Sequence, residues 1–321
     1  METYSQPSRT FALSTFAIDA EEFPGLVVGE HVLDLRGHWP SVDAVLREWD
    51  RAEPVLVELA NSSDHPWIAL SDLAVRAPLR PRQVIQSGAN YRTHVVDLAV
   101  AHRDDLTTPE AVAAARAEVG AMMDERAAKG TPYLFTGLPS AVAGPYDDLV
   151  LPGYSDRNDW ELELAVVIGR PAFRITREEA LDHVAGYTIC NDVTSRDLVF
   201  RKDMKEIGTD WFRSKNAPGF LPLGPFLVPA RFVGDPGDLQ VTLTVNGEVM
   251  QDESTKDMLF DVAALVSAAS QIVRLEPGDL VLTGSPAGNG IAFGRFLRDG
   301  DVMEGTITGL GTQRIVCRSE A

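Results

Sequence analysis

The alternation of apolar and polar residues predicts a chain built from short strands with a few helices between them. Residues 23–37 (FPGLVVGEHVLDLRG) and residues 239–253 (LQVTLTVNGEVMQDE) alternate with a period of two, and each predicts a hairpin. Asn246-Gly247 stands at the centre of the second stretch, and two-residue hairpin turns favour this dipeptide. Residues 300–317 predict two further strands.

Helical spacing of apolar residues predicts one helix in residues 41–60 and another in residues 261–273. A third helix is predicted in residues 107–130 (TTPEAVAAARAEVGAMMDERAAKG), where Thr108 is placed as the N-cap and Gly130 as the C′ residue. The apolar face of this third helix is weak and rich in alanine. It therefore favours a helix that lies over another part of the protein rather than one inside a core.

The order of these elements bears on the fold class. Strands outnumber helices after residue 150 and do not alternate with them regularly, which favours an α+β or mostly β roll over a doubly wound sheet. The basic, proline-rich stretch APLRPRQ at residues 77–83 marks a domain boundary. We therefore predict a small β-rich domain over residues 1–80 and a larger domain over residues 81–321.

Composition and charge limit the classes of partner. The chain has 321 residues and a formal net charge of −18, which disfavours nucleic acid and anionic membranes as partners. A site for an acidic substrate would need its own local cations. The two cysteines, Cys190 and Cys317, form no disulfide framework, and the first residues lack the pattern of a secretion signal. We therefore expect a cytoplasmic protein.

The stretch DWELELAVVIG, residues 159–169, begins with a row of like charges. If it is a strand, Asp159, Glu161 and Glu163 point to one face, and the same face then becomes apolar. Two carboxylates about 6.5 Å apart repel each other, and burial would add a desolvation cost of several kcal/mol for each. Either these acids are exposed at the open end of the strand, or a cation lies between them.

A further acid, Asp192, follows the apolar run GYTIC. An aspartate at that position is usually a turn residue or a helix cap. Convergence with Glu161 and Glu163 would instead create an oxygen-rich site suited to Mg²⁺ or Mn²⁺, with Ca²⁺ as a further option. No histidine pair or cysteine cluster accompanies these acids, which disfavours zinc.

A histidine and an acid stand three residues apart in SGANYRTHVVDL. On a helical turn His94 and Asp97 would face the same way, and a carboxylate beside a histidine orients the ring for general-base catalysis. The pattern H-x-x-D is common by chance, so it carries weight only together with other motifs.

Seven motifs in unbroken order resemble the fumarylacetoacetate hydrolase superfamily between residues 84 and 317. They are N-Y-x-x-H-x-x-acid, F…S…GP, D-x-E-x-E-L-A-V-V-I-G, G-Y-x-x-x-N-D-V-x-x-R-D, W-x-x-x-K…PLGP, VNGE…Q…T…M and L-x-P-G-D-x-x-x-T-G-S-P-x-G. Single motifs are weak, whereas seven in sequence are specific. The resemblance implies a mixed β-sandwich roll, a homodimer, and a divalent metal held by three carboxylates.

The resemblance also assigns roles to individual positions. It implies metal ligation by Glu161, Glu163 and Asp192, and catalysis by His94, Asp97 and Lys215, with NYRTHVVD as a mobile lid. The positions implied to contact the substrate are Arg196, Tyr91, Thr283 and Ser285.

Three positions depart from the pattern of the family. Asp97 stands where many members have glutamate, Gly137 where lysine is frequent, and Val199 where many have glutamine. The loss of the lysine and the glutamine indicates a roomier and less polar site. The helix in residues 107–130 exceeds the usual connection after the lid, and we expect it either to help cover the pocket or to form a surface or dimer contact.

The activity that the resemblance implies is hydrolytic cleavage of a carbon–carbon bond in a 2,4-diketo acid or related β-diketone. In that reaction His94, oriented by Asp97, activates water, and the leaving enolate is stabilised by the metal and Lys215. The alternatives are decarboxylation of oxaloacetate and hydration or isomerisation of 2-oxo-alkenoates at the same metal site. A metal-binding protein that has lost catalysis is a further alternative.

Overall fold

The computed structural model describes residues 9–320, apart from residues 102 and 104. Residues 1–8 of the predicted N-terminal domain therefore lie outside the described residues. Within the described part, the α-helices are α1 (Val42–Arg47), α2 (Trp49–Asn61), α3 (Arg92–Ala101), α4 (Pro109–Lys129), α5 (Trp211–Lys215), α6 (Ala230–Val233), α7 (Val262–Ile272) and α8 (Gly290–Phe293).

The strands are short and follow one another along most of the described chain. In order they are β1 (Ala12–Ile18), β2 (Glu21–Val28), β3 (His31–Asp34), β4 (Ile68–Ala69), β5 (Ala74–Val75), β6 (Val84–Gly88), β7 (Tyr133–Gly137), β8 (Val142–Ala143), β9 (Leu149–Leu151), β10 (Asn158–Asp159), β11 (Leu162–Ile168), β12 (Val184–Asn191), β13 (Thr194–Ser195), β14 (Leu221–Pro222), β15 (Val228–Pro229), β16 (Gln240–Val245), β17 (Glu248–Ser254), β18 (Leu280–Leu282), β19 (Val302–Ile307) and β20 (Gly311–Ser319).

The first five strands form one sheet in the order β4-β3-β2-β1-β5. The hairpin predicted in residues 23–37 is present as the antiparallel pair of β2 and β3. The segment 41–60 forms two helices rather than the single helix expected, because the chain leaves helical geometry at Glu48 between α1 and α2. The predicted boundary after residue 80 falls between β5 and β6, and the division into two domains stays a prediction.

Besides two two-stranded sheets, β10-β13 and β14-β8, the remaining strands form two larger sheets. One has the order β15-β12-β11-β18-β6-β7 and the other the order β17-β16-β19-β20-β9. Strands β18 and β6 run parallel, whereas β11 is antiparallel to both of its neighbours. Every residue of β11 is buried. A Cβ at Gly305 on β19 would lie only 2.5 Å from Leu162 Cδ1, so this glycine lets the two sheets approach. The predicted α+β, mostly β fold with a mixed sandwich is confirmed.

The hairpin predicted around Asn246-Gly247 is also present, as β16 and β17. Both turn residues have positive φ, 54° and 81°, as a type I′ turn requires. The helix predicted in residues 261–273 is α7, and residues 300–317 supply β19 and β20.

Helix α4 begins and ends where the sequence predicts, with Thr108 Oγ1 accepting a hydrogen bond from Ala111 N. Gly130 has φ −87° and does not adopt the left-handed conformation expected of a C′ glycine. Helix α4 packs along α3 through a small apolar cluster of Val96, Val119 and Met123. Helix α4 therefore lies against the helix that carries His94, and its role as a cover of the pocket or as a surface or dimer contact stays a prediction.

None of the helices in the described part of the chain is both long and apolar enough to cross a membrane.

Candidate metal centre

Strand pairing brings the three predicted ligands together. Glu163 lies opposite Cys190 in the antiparallel pair of β11 and β12, and Asp192 N donates to Glu161 O at 2.9 Å just beyond it. One carboxylate oxygen from each of Glu161, Glu163 and Asp192 lies within 4.8 Å of the others. All three side chains are buried. The exposed alternative for these acids is therefore wrong, and their role as metal ligands stays a prediction.

Asp159, the first acid of the row, is fully buried and has a different set of partners. Its carboxylate accepts hydrogen bonds from Gly290 N at 2.6 Å and Ile291 N at 3.1 Å, and from Arg196 Nε at 2.7 Å. Asp159, at the end of β10, is thus bonded both to the first residues of α8 and to the buried guanidinium of Arg196. This carboxylate is an anchor beside the cluster.

Two buried cations face the acids. The guanidinium of Arg196 bridges Asp159 and Glu161. The ammonium of Lys215 lies 3.0 Å from Glu161 Oε2 and 2.5 Å from Asp192 Oδ2, and also donates to Thr194 Oγ1 at 2.8 Å. Both predicted cationic residues therefore belong to the cluster.

Each of the three candidate ligands has one oxygen held by a hydrogen-bond donor. Arg196 holds Glu161 Oε1, Gly284 N donates to Glu163 Oε2 at 2.8 Å, and Gln86 Nε2 donates to Asp192 Oδ1 at 2.6 Å. These contacts fix the three carboxyl groups. Lys215 Nζ contacts the second oxygens of Glu161 and Asp192, so a bound cation would share these two oxygens with Lys215.

The charges of the cluster fit a divalent cation. With all four buried carboxyl groups ionised, those of Asp159, Glu161, Glu163 and Asp192, the two buried cations leave two negative charges uncompensated. Unpaired buried charges cost several kcal/mol each. Oxygen-only donors of this kind suit Mg²⁺, Mn²⁺ or Ca²⁺. The residues present therefore fit the metal that the sequence implies.

The two cations shift the pKa values of the three candidate ligands to different extents. Burial raises the pKa of Glu161, but Arg196 and Lys215 outweigh this effect and lower it to about 2. Burial and the neighbouring carboxylates raise the pKa of Glu163 well above its ordinary value. Burial raises the pKa of Asp192 to about 6, although Lys215 opposes the shift. The two cations thus favour the ionised form of Glu161 far more than that of Glu163 or Asp192.

His94 lies on α3 and faces this cluster. Its side chain is buried, and burial lowers its pKa to about 4, with Glu161 opposing and Arg196 and Lys215 adding to the shift. The imidazole is therefore neutral near pH 7 and able to accept a proton.

The predicted pairing of His94 with Asp97 is not formed in this structure. The Asp97 carboxylate lies 2.6 Å from the guanidinium of Arg116 on α4, and no hydrogen bond joins it to His94 within the described residues. The three-residue spacing places both side chains on α3, but α4 supplies a competing cation that the spacing alone does not reveal.

The predicted substrate-contacting residues Tyr91, Thr283 and Ser285 are buried. Thr283 Oγ1 donates to Leu164 O at 3.0 Å, and Ser285 Oγ accepts from Gln251 Nε2 at 3.0 Å. Burial raises the pKa of Tyr91. Gly284, which holds Glu163, lies between Thr283 and Ser285, so this loop borders the cluster. Contact of these residues with a substrate stays a prediction.

Two features of the site were missed by sequence reasoning. Gln86 is fully buried on β6 and contacts Asp192, and the signal for it was a polar side chain directly after the apolar pair Val84 and Ile85. The rings of Phe135 and Trp211 stack with centroids 4.8 Å apart, and Lys215 Nζ lies 5.8 Å from each centroid. Trp211 is thus part of the surroundings of Lys215. The signal in the sequence was the position of Lys215 four residues after Trp211.

The departures at residues 137 and 199 have different consequences. A Cβ at Gly137 would lie 2.8 Å from Gln86 Oε1, so the carboxamide of Gln86 occupies the space beside the glycine. The site is therefore not simply emptier and less polar at this position. Val199 is buried, with 5% of its surface exposed.

Comparison with known proteins places the chain among enzymes of one family. The family described as fumarylacetoacetate (FAA) hydrolase C-terminal matches residues 83–317. The chain is 34% identical over 317 residues to a mitochondrial oxaloacetate tautomerase of Bos taurus, covering 95% of this chain and 91% of the relative. It is 45% identical over 188 residues to a 2,4-didehydro-3-deoxy-L-rhamnonate hydrolase of a Sphingomonas species, covering 57% of this chain and 64% of the relative.

A solved structure shares the fold over the whole length. The fumarylacetoacetate hydrolase of Exiguobacterium antarcticum is 30% identical, with a TM-score of 0.76 that covers 97% of this chain and 100% of that one. The motif order, the sheet topology and these similarities agree. The chain belongs to the fumarylacetoacetate hydrolase family.

Proposed function

We propose that the protein is a divalent-metal-dependent hydrolase that cleaves a carbon–carbon bond in a 2,4-diketo acid. The observation that carries the proposal is the convergence of three buried carboxylates, two buried cations and the buried His94 at one place. The similarity to a hydrolase of a 2,4-didehydro-3-deoxy sugar acid supports it, since that name describes oxo groups at carbons 2 and 4.

Glu161, Glu163 and Asp192 would hold the cation, with Mg²⁺ or Mn²⁺ the proposed ion. A bound divalent cation supplies Lewis-acid polarisation of the oxo group of the substrate. Arg196 and Lys215 place positive charge beside the carboxylates, which lowers the electrostatic penalty for an anionic keto acid in a protein of net charge −18.

His94 would act on the water that attacks the 4-carbonyl. The neutral imidazole accepts one proton from this water, and the bond between carbons 3 and 4 then breaks. The bonding electron pair leaves with carbon 3 as the enolate of the 2-oxo acid, and a proton returned to carbon 3 completes the reaction. Lys215 would stabilise the negative charge of this leaving group. Tyr91, Thr283 and Ser285 would border the substrate.

Asp97 would orient His94 only after leaving Arg116. The ion pair of Asp97 with Arg116 is partly exposed, with 27% and 44% of the two side chains accessible. Such pairs contribute about 0–1 kcal/mol, so substrate binding can exchange one partner of Asp97 for the other at small cost.

Tautomerisation or decarboxylation of an oxaloacetate-type acid is the second candidate. The observation that favours it is the engagement of Asp97 with Arg116, which leaves His94 without a carboxylate to support water activation. Proton transfer between carbon and oxygen needs no attacking water. The 34% identity to an oxaloacetate tautomerase over nearly the whole chain supports this alternative.

A substrate panel tests the proposal. Metal-free protein is supplied with Mn²⁺ or Mg²⁺ and incubated with acylpyruvates, cyclic β-diketones and oxaloacetate. The proposal predicts that an acylpyruvate is converted to pyruvate and the matching carboxylic acid only when metal is present. Conversion of enol to keto oxaloacetate without any cleavage of acylpyruvates would favour the second candidate. Metal binding without turnover of any of these acids would favour an inactive homologue.

We further propose that the protein is a cytoplasmic homodimer. Residues 200–212 expose large apolar side chains, with Phe200, Ile207 and Phe212 each more than 60% accessible. A second copy is the proposed cover for this segment. Light scattering coupled to size-exclusion chromatography gives the mass directly, and a monomer at micromolar concentration would contradict the proposal.

A further inference from the structure

We propose that Gln86 is a positioning residue that fixes the candidate metal ligand Asp192, and that Gly137 is the residue that makes room for it. The inference deepens the proposed function and rests on its metal centre. It concerns two positions, one on β6 and one on the neighbouring strand β7.

The contact between Gln86 and Asp192 is direct and buried. Gln86 has no exposed surface, and its Nε2 donates to Asp192 Oδ1 at 2.6 Å. A carboxylate only accepts hydrogen bonds, so the nitrogen of the amide must face Asp192. Gln86 Oε1 has no hydrogen-bond partner among the described residues. The bond to Asp192 is therefore what orients this carboxamide.

The space for the carboxamide exists because residue 137 is a glycine. A Cβ at Gly137 would lie 2.8 Å from Gln86 Oε1 and 2.9 Å from Gln86 Cδ, closer than such atoms approach. The end of the glutamine side chain would have to move. Because Nε2 and Oε1 belong to one rigid planar group, that movement would weaken the bond to Asp192.

A neutral donor also suits the charge of the site. Lys215 contacts Asp192 Oδ2 while Gln86 holds Asp192 Oδ1, so both oxygens have fixed positions. A cationic partner in place of Gln86 would remove part of the negative charge that attracts the metal. Partners that orient metal-binding side chains typically change metal affinity about 10- to 100-fold when they are removed.

The first test measures Mn²⁺ binding to the full chain by calorimetry. Gln86→Leu removes the donor and keeps a similar volume, and we expect its Mn²⁺ dissociation constant to rise about 10- to 100-fold. Gln83→Leu is the matched control, because Gln83 Nε2 donates to Asp279 Oδ2 at the same 2.6 Å, away from the three ligands. We expect its dissociation constant to match that of the wild type.

The second test uses Gly137→Ala in two backgrounds, which keeps the inference testable if Gln86→Leu does not fold. We expect Gly137→Ala to weaken Mn²⁺ binding about tenfold in the wild type and to have little effect in Gln86→Ala, where no carboxamide is present to be displaced. An equal effect in both backgrounds, or a wild-type dissociation constant for folded Gln86→Leu, would overturn the inference.

Mn²⁺ binding by the wild-type protein distinguishes failure of this inference from failure of the proposed metal centre. Failure of the wild type to bind Mn²⁺ would remove the proposed centre, and the inference with it. Binding by the wild type that is unchanged in the Gln86 and Gly137 variants would overturn the positioning role alone and leave the proposed function standing.

Discussion

The carboxylate of Asp97 on α3 lies 2.6 Å from the guanidinium of Arg116 on α4. Asp97, the acid predicted to orient His94, is thus bound by α4, which packs against the helix α3 that carries both residues. A second ion pair between the two helices, Arg92 with Asp124, also has a distance of 2.6 Å. Within the described residues, helices α3 and α4 are therefore joined by two ion pairs, and one of them involves a residue with a proposed catalytic role.

Removal of the Arg116 charge is predicted to increase hydrolysis. In Arg116→Gln the Asp97 carboxylate loses its competing partner, so a larger fraction of molecules can pair Asp97 with His94. A partly exposed ion pair contributes up to about 1 kcal/mol, which corresponds to a rise in kcat of about two- to fivefold. Steady-state kinetics with an acylpyruvate and saturating Mn²⁺ measures this change.

Asp124→Asn is the control for Arg116→Gln, since it breaks the other ion pair between the same helices and leaves Asp97 alone. Its kcat should equal that of the wild type. A fall in kcat for Arg116→Gln, or the same change in both variants, would show that the Asp97–Arg116 pair does not restrain catalysis.

Replacement of His94 is predicted to remove catalysis and to retain the metal. General-base catalysis contributes about 100- to 10,000-fold to rate, so His94→Ala should lose activity by that factor. Mn²⁺ binding should be unchanged, because the proposed ligands are three carboxylates and not His94. His31→Ala, an exposed histidine on β3, is the control. Wild-type activity in His94→Ala would exclude it as the base.

Glu163→Gln is predicted to stabilise the metal-free protein and to abolish stabilisation by metal. Glu163 is buried beside Asp192 and Glu161, and its carboxylate accepts a hydrogen bond from Gly284 N. The amide oxygen of a glutamine can accept the same hydrogen bond. The substitution removes the cost of either protonating this carboxyl group or keeping it ionised beside two other acids. At 100 times its dissociation constant Mn²⁺ adds about 2.7 kcal/mol to the stability of the wild type. Thermal unfolding with and without Mn²⁺ measures both effects, and an unchanged response to Mn²⁺ would exclude Glu163 as a ligand.

Asp159→Ala is predicted to destabilise the fold by about 3–5 kcal/mol, because it removes one of the two carboxylate partners of the buried Arg196 and the acceptor of two backbone N–H groups. Urea unfolding measures the change. Asp50→Ala breaks the exposed ion pair with Arg170 and should cost less than about 1 kcal/mol. Equal costs for the two variants would mean that Asp159 is not an internal anchor.

Much of the architecture could be predicted from local patterns. Alternation identified the hairpins of β2 with β3 and of β16 with β17, and the cap at Thr108 identified the start of α4. These features depend on neighbouring residues, which is why one sequence suffices. The same local patterns did not give the conformation of Gly130 or the break between α1 and α2 at Glu48.

The candidate site also has a part that local patterns predict and a part that they do not. Residue spacing placed Glu161 and Glu163 on one face, and the apolar run before Asp192 made it a third candidate. The family resemblance implied that all three are metal ligands. The partners that hold them come from elsewhere: Gln86 is 106 residues from Asp192, and Gly284 is 121 residues from Glu163. No periodicity connects such pairs, so the sequence could predict the donors of a metal site but not the groups that orient them.

Titration of metal-free wild-type protein with Mn²⁺, followed by turnover of an acylpyruvate at each step, tests the central claim most directly. The account predicts no turnover without metal, a rise in proportion to the added ion, and saturation when each chain holds a single Mn²⁺. Turnover that is already complete in the metal-free protein, or that stays absent after the metal has bound, would contradict a metal-dependent hydrolase.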